Sequence, residues 1–363
     1  MEDSQAYNFV VKSQIHDYSV EFINDLQTTL KNELIEGDFI IIDNKIINLY
    51  NNLISKTLFK HKYIGIDSSE PQKSYQEITP IIENLIEQGF RKNHRLVAVG
   101  GGITQDVTAF IASIMYRGVD WIFFPTSLLA QGDSCIGSKT SINFGRFKNQ
   151  LGGFYPPNKI FIFPEFLNTL SLAEIKSGMG EMLHYFIVSG KSDFDFYKNN
   201  YKKAFTDKNI LAKIILRSLK IKKRYIEKDE YDQNIRQVFN YGHSFGHAIE
   251  SLTNYKIPHG VAVSFGMDIA NFISVKMGIL DKEVRDEIRE VTEHIWEGYS
   301  IKTIEIESFK HALSKDKKNV GTKLGLILNK GFGEVFKNVM EPDHNFTLWL
   351  KEYFDNEIYY RNN

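Results

Sequence analysis

The chain has one cysteine, Cys135, in 363 residues. An intrachain disulfide is therefore excluded, and a lone thiol fits a reducing compartment. Cys135 itself reads as a small apolar filler rather than a nucleophile. Net charge is missing too: Lys plus Arg number 44 against 45 Asp plus Glu. That balance gives no whole-molecule attraction for nucleic acid or an anionic membrane, so any basic cluster must be local and aimed at a small anion. No uninterrupted apolar run approaches bilayer-spanning length, and Met1 to Tyr7 carries no basic stretch leading into an apolar one. Internal repeats and low-complexity tracts are absent. The expectation is a cytoplasmic globular enzyme with neither nucleic acid nor membrane as partner, long enough for two domains with a core each.

What is present has two characters. In the first half, short β-rich runs at Phe39 to Asp43, Tyr63 to Asp67, Leu96 to Gly100 and Trp121 to Pro125 alternate with helical patterns at Tyr75 to Gly89 and Asp106 to Met115. This rhythm predicts a Rossmann-like α/β domain with a parallel sheet. From about Leu170 helical periodicity takes over, at Leu172 to Val188, Ile210 to Glu227, Arg236 to Leu252, Gly260 to Met277 and Lys282 to Trp296. The expected organisation is a cofactor-binding α/β domain over 1–168 and a mostly α-helical metal- and substrate-binding domain over 169–363.

The densest chemistry lies between Arg236 and Glu250. At the helical period Arg236, Asn240, His243 and His247 fall at i, i+4, i+7 and i+11, which puts a guanidinium, an amide and two imidazoles on one stripe. A buried polar stripe is costly unless it binds something. Gly242 and Gly246 each cost roughly 1 kcal/mol against Ala inside a helix, which points to a close approach to the backbone there. Upstream, Gly180-Glu181-Met182-Leu183-His184 lies in an apolar helix, where a carboxylate needs a cation partner. With His243 and His259, Glu181 makes a Glu, His, His set that leaves zinc an open position. His184 reads equally as a core histidine, a fourth ligand or a substrate contact.

Gly100-Gly101-Gly102 ends a strand and opens a helix, where bare amides and the helix dipole suit a phosphate, although a tight turn needs no ligand. The glycine-bearing run Gln131 to Gly153 reads as loop-rich, and within it Asp133, Lys139, Asn143, Lys148 and Asn149 offer amides and cations for phosphate oxygens. Lys222, Lys223 and Arg224 read alone as a solvated triplet, and Asp316-Lys317-Lys318 precedes the β-like Leu324 to Leu328.

Together these pieces resemble the 3-dehydroquinate synthase family of sugar phosphate cyclases. The matching segments are Gly100 to Asp106, Arg117-Gly118, Pro125 to Ser134, Gly137 to Thr140, Lys148 to Pro156, Gly180-Glu181, Asp229-Glu230, Arg236, Asn240 to Glu250, His259-Gly260 and Asp316 to Lys318. The resemblance covers about Asp43 to Gly331. It implies a homodimeric lyase of the shikimate pathway that uses NAD and a divalent metal, zinc or another such as cobalt. Its substrate is a seven-carbon sugar acid phosphate, 3-deoxy-D-arabino-heptulosonate 7-phosphate.

By that resemblance Glu181, His243 and His259 hold the metal. Asp43, Glu70, Lys73, Gly100, Gly101, Gly102, Asp106, Thr126, Ser127 and Lys148 surround NAD. Lys139, Asn149, His247, Lys317 and Lys318 meet substrate and phosphate, with Asp133, His184 and Asn240 completing the catalytic set. Lys222 and Arg236 take the carboxylate, and Arg117 reaches the neighbouring subunit's site. Departures from the family pattern are His184 for a lysine, Gln105 for a glycine, Val261 for a glutamate, and the segment Phe163 to Phe166. His184 keeps open a sibling cyclase acting on a related sugar phosphate. A metal-dependent polyol dehydrogenase or a noncatalytic binding protein fits the cation set less well.

Overall fold

Seven of the nine strands described in the first half form one sheet in the computed structural model, which describes residues 4–145, 147–316 and 318–358. Its elements are β1 (Phe9–Val11), β2 (Tyr18–Phe22), α1 (Leu26–Glu33), β3 (Phe39–Asp43), α2 (Asn44–Leu58), β4 (Lys62–Ile66), α3 (Tyr75–Glu87), β5 (Leu96–Gly100), α4 (Gly102–Ile114), β6 (Trp121–Pro125), β7 (Lys139–Phe144), β8 (Phe147–Phe154) and β9 (Lys159–Ile162). The sheet order is β1-β2-β9-β6-β5-β3-β4, with only the β1–β2 pair antiparallel. Strands β3, β5 and β6 are apolar without alternation and buried along their length, because helices cover both faces of a parallel sheet. Leu26, Leu30, Ile46, Ile54 and Leu58 from α1 and α2 pack on Ile40, Ile42, Val97, Val99, Ile122 and Phe124. Each such side chain contributes about 1.5–3 kcal/mol on full burial.

From β3 the chain steps outward to β4, then returns to the other side of β3 as β5. The carboxyl ends of β3 and β5 therefore flank a topological switch point, where open α/β sheets form a ligand crevice.

The run Gln131 to Gly153 is more ordered than its glycines suggest. Lys139–Phe144 and Phe147–Phe154 pair as the antiparallel hairpin β7–β8, with a register shift between Ile142 and Phe144. Gly152 is what the pairing needs, since a methyl there would lie 1.9 Å from the Thr140 carbonyl oxygen. At this position a glycine that reads as loop is what allows the strands to meet.

The remaining elements are α5 (Leu172–Ser189), α6 (Lys191–Ala204), α7 (Lys208–Ile226), α8 (His243–Leu252), α9 (His259–Lys276), α10 (Lys282–Trp296), α11 (Ile306–Ser314), β10 (Leu324–Asn329), β11 (Val335–Met340) and α12 (His344–Glu352). The chain divides into two compact units, Met1–Leu170 with Ile215–Tyr231, and Ser171–Ile214 with Asp232–Asn363. In the second unit α9 is buried from Gly260 to Ser274 around its whole circumference, mostly through apolar side chains, as a central helix must be. Helix α5 starts at a capping box of Ser171 and Glu174.

One expectation is corrected here. Arg236 and Leu252 do not share one helix: Ile235–Asn240 is a short 3-10 turn, Gly242 takes a left-handed φ of 81°, and α8 begins at His243. Gly242 also permits close packing, because a methyl on it would sit 2.6 Å from the Val263 carbonyl oxygen of α9. The close approach read from Gly242 and Gly246 is thus made by a neighbouring helix.

Candidate metal and cofactor sites

In the second unit, three helices deliver three donors to one point. Glu181 comes from the middle of α5, His243 from the first residue of α8 and His259 from the first residue of α9. Glu181 Oε1 lies 3.3 Å from His243 Nε2, and Glu181 Oε2 lies 3.3 Å from His259 Nε2. One donor atom from each of the three residues lies within 4.8 Å of the other two. The two contacts use different oxygens of one carboxylate, and a set of one carboxylate and two imidazoles within this span has the ligand chemistry for one divalent cation. The unused ring nitrogens are also engaged: His259 Nδ1 faces Glu250 Oε2 at 3.0 Å, and His243 Nδ1 faces the Tyr241 carbonyl at 3.3 Å. An acceptor at Nδ1 leaves the Nε2 lone pair for a cation.

The electrostatics agree. Burial pushes the Glu181 carboxyl up, but the His243 and His259 imidazoles more than reverse this and hold it well below the usual range. Burial pulls His259 down, and Glu250 and Glu181 outweigh it and hold the imidazole well above its ordinary value. A buried carboxylate that stays ionised and an imidazole that keeps a proton beside it mark a place where a divalent cation can replace that proton. His247 follows one turn after His243, its ring 5.5 Å from His243 and 5.7 Å from His259 between centroids. Its surroundings, then His243 and His259, push its pKa well below the usual value even though part of the ring meets solvent.

His184 is buried against the Tyr185 ring at 3.9 Å, with Nδ1 4.0 Å from Glu181 Oε1. Arg236 is buried, and Asn240 donates to the Gln237 carbonyl at 3.1 Å. Lys318 pairs with Asp316 at 3.1 Å. Lys317 lies outside the described residues.

In the first unit the candidate cofactor residues gather where the sheet switches direction. Asp43 ends β3 and caps α2 through the Lys45 amide at 2.9 Å. Gly101 is the N-cap of α4, which no side chain caps among the described residues, so its first amides stay open. The three glycines differ in role. A methyl on Gly100 would meet Thr104 Oγ1 at 2.2 Å, a packing reason, whereas Gly101 and Gly102 have Ser127 and Ser134 only at 3.3 and 4.0 Å. The backbone amide of Thr126 donates to the Gly100 carbonyl at 2.9 Å.

The hairpin is tied to the same edge. Lys73 pairs with Asp106 at 2.7 Å, and burial still raises the Asp106 carboxyl. Asn143 donates to Glu70 Oε1 at 2.9 Å and to the Glu70 carbonyl at 3.2 Å, and Lys148 stands 3.7 Å from Glu70. Asn149 has a left-handed φ of 54°, and its amide donates to Asn143 Oδ1 at 2.9 Å. Lys139 is exposed at the hairpin start. Lys222 is not a solvated member of a triplet: it is buried and donates to the Asp133 carboxylate at 2.8 Å and the Asp133 carbonyl at 2.7 Å. Arg117 is exposed, with a left-handed φ of 66°.

Sequence reasoning missed Glu250 and the Tyr241 carbonyl. The signal for Glu250 was its place three residues after His247 and seven after His243, one face of α8. The carbonyl left no signal, because every residue has one.

Comparison with known proteins bears on both units. A family model described as 3-dehydroquinate synthase N-terminal matches residues 63–177, and one described as 3-dehydroquinate synthase C-terminal matches 178–319. A 3-dehydroquinate synthase of Prochlorococcus marinus (strain MIT 9515) is 38% identical over 331 residues, covering 87% of this chain and 88% of its own. A solved 2-deoxy-scyllo-inosose synthase, complexed with carbaglucose-6-phosphate, NAD+ and Co2+, aligns with a TM-score of 0.84 at 22% identity, over 96% of this chain and 99% of that one. A 2-epi-5-epi-valiolone synthase from Streptomyces hygroscopicus subsp. jinggangensis, with NAD+ and Zn2+ bound, aligns with a TM-score of 0.84 at 20% identity, over 96% and 99% of the two chains. These two structures match the fold. No helix among the described residues is long and apolar enough to cross a membrane.

Proposed function

The chain belongs to the 3-dehydroquinate synthase family, and from that premise we propose that it converts 3-deoxy-D-arabino-heptulosonate 7-phosphate into 3-dehydroquinate and phosphate. The reaction class is a phosphate-eliminating lyase that runs through transient oxidation, elimination, reduction and aldol closure. The observation that carries the reading is the cluster of Glu181, His243 and His259, one donor atom of each within 4.8 Å of the others, a carboxylate and two imidazoles suited to one divalent metal. When bound, the metal polarises a substrate oxygen and NAD supplies a hydride acceptor that is restored within the cycle.

The chain's own side chains do the rest. Gly101 and Gly102 admit the NAD pyrophosphate to the open amides of α4, with Asp43, Glu70, Lys73, Asp106, Thr126, Ser127 and Lys148 around it. Lys139, Asn149, Lys317 and Lys318 gather the phosphate that leaves. Lys222, already fixed by Asp133, and Arg236 hold the substrate carboxylate. His247, one turn after His243 and partly open to solvent, moves a proton. Asn240 and His184 line the catalytic set in the same unit as the metal triangle. The enzyme acts as a homodimer in the cytoplasm, with exposed Arg117 serving the neighbouring subunit's site.

His184 in place of the family's lysine favours one second reading, a sibling cyclase acting on a neutral sugar phosphate. Purified protein with NAD, zinc and the acid phosphate should release phosphate with no net NADH. Release only from a neutral seven-carbon ketose phosphate replaces the first reading by the second. Net NADH with no phosphate overturns both.

A further inference from the structure

His259 is held at both ring nitrogens. Nε2 faces Glu181 Oε2 at 3.3 Å and Nδ1 faces Glu250 Oε2 at 3.0 Å. An ionised carboxylate only accepts, so the Glu250 contact requires a proton on Nδ1. A neutral imidazole then has a single lone pair, on Nε2, on the side of Glu181 and His243. Glu250 reaches this position because α8 puts His243, His247 and Glu250 on one face, while His259 opens α9 behind it. The side chain of Glu250 is largely buried, so its charge is weakly screened. Among the described residues His243 has the Tyr241 backbone carbonyl at 3.3 Å behind it, a longer and neutral contact.

We propose that Glu250 is the positioning residue of this centre: it fixes the tautomer and ring direction of His259, so that His259 enters the metal triangle ready to bind. This rests on the metal reading above. The same residues could instead form a second centre, since donor atoms of His247, Glu250 and His259 also lie within 4.8 Å of one another. Lone-pair counting opposes that, because His259 would have to ligate through both nitrogens and give up its last proton.

The test is metal affinity by chelator competition, with the visible spectrum of the Co2+-loaded protein as a second readout. Wild type should bind one Zn2+ per chain. Glu250→Gln keeps an acceptor oxygen but loses the charge, and should weaken Zn2+ binding about tenfold. Glu250→Ala should weaken it roughly ten- to a hundredfold, the range for partners behind metal ligands. The Co2+ bands of both variants should shift, since ligand direction changes, while metal-free thermal stability and circular dichroism stay near wild type. Wild-type affinity and spectrum in both variants overturn the role of Glu250. Two Zn2+ per wild-type chain, with one lost in Glu250→Ala, replace it by a second centre. A His259→Ala variant that binds Zn2+ as tightly as wild type shows instead that the metal reading itself has failed.

Discussion

Gly180 in α5 and Gly260 in α9 meet without room for a side chain: a methyl on Gly180 would sit 2.2 Å from the Gly260 carbonyl oxygen. The Gly260 amide also donates to Ser177 Oγ at 3.0 Å. Glu181 follows the first glycine and His259 precedes the second, so this contact sets the distance between two of the three proposed metal donors. Gly180→Ala separates two effects of opposite sign. Alanine is about 1 kcal/mol better than glycine inside a helix, whereas forced overpacking costs typically 1–3 kcal/mol. With backbone as the obstacle, the second should win. The variant should melt below wild type without metal and bind Zn2+ more weakly. A higher melting temperature with unchanged Zn2+ affinity would show that the helices are free to part.

Much of this was legible in the sequence because its cause is local. Strands β3, β5 and β6 and helix α10 fall where apolar periodicity puts them, and β5 leads through the glycines into α4. The carboxylate and imidazoles at 181, 243 and 259 were readable as a candidate metal set from their chemistry, and the structure brings them together. The hairpin β7–β8 was hidden, since Gly152 serves strand pairing and its composition says turn. The break at Gly242 was hidden because the spacing from Arg236 to His247 fits a continuous helix. The burial of Lys222 depends on Asp133, 89 residues away, and periodicity carries no trace of such a contact.

A second prediction concerns a buried charge cluster in the second unit. Asp268 accepts from Arg285 at 3.1 and 3.2 Å and from the Tyr353 hydroxyl at 2.8 Å, with Arg289 at 3.3 Å. Asp268→Ala leaves guanidinium groups buried without this carboxylate and should cost about 3–5 kcal/mol. Glu357, which bonds the same arginines, is more exposed. Glu357→Gln should therefore cost roughly 1 kcal/mol or less. Denaturant midpoints of the metal-free variants check this, and equal losses at both positions would contradict the ranking.

Cys135 gives a pH prediction. It is buried beside the Gln131 carbonyl, and burial pushes its thiol up to about 12 despite Lys222 nearby. The folded state therefore keeps the proton longer than the unfolded state. Its contribution to stability is complete below the unfolded thiol's value near 8.5–9 and falls as pH rises towards 12. A thiol-specific reagent at pH 8 should label the native protein only as fast as it unfolds. Cys135→Ala should lose less stability than wild type between pH 8.5 and 10. Rapid labelling of native protein would show that the thiol is accessible.

The last prediction addresses the substrate. Arg236 is buried and is proposed to grip the carboxylate that distinguishes an acid phosphate from a neutral ketose phosphate. Hydrogen bonds to a charged group contribute about 1.5–3 kcal/mol, so Arg236→Gln should lower kcat/KM for the acid phosphate roughly ten- to a hundredfold. The neutral seven-carbon ketose phosphate has no carboxylate to lose, and its kcat/KM should change little. His184 supplies the contrast. It is packed on Tyr185, with its ring 5.5 Å from that of His243, in a place where the family carries a permanent cation. His184→Lys should therefore change the balance between the two substrates without altering the dependence on Arg236. If Arg236→Gln lowers turnover of both substrates equally, the guanidinium is supporting the fold rather than reading the carboxylate, and the assignment of the acid phosphate loses its main residue.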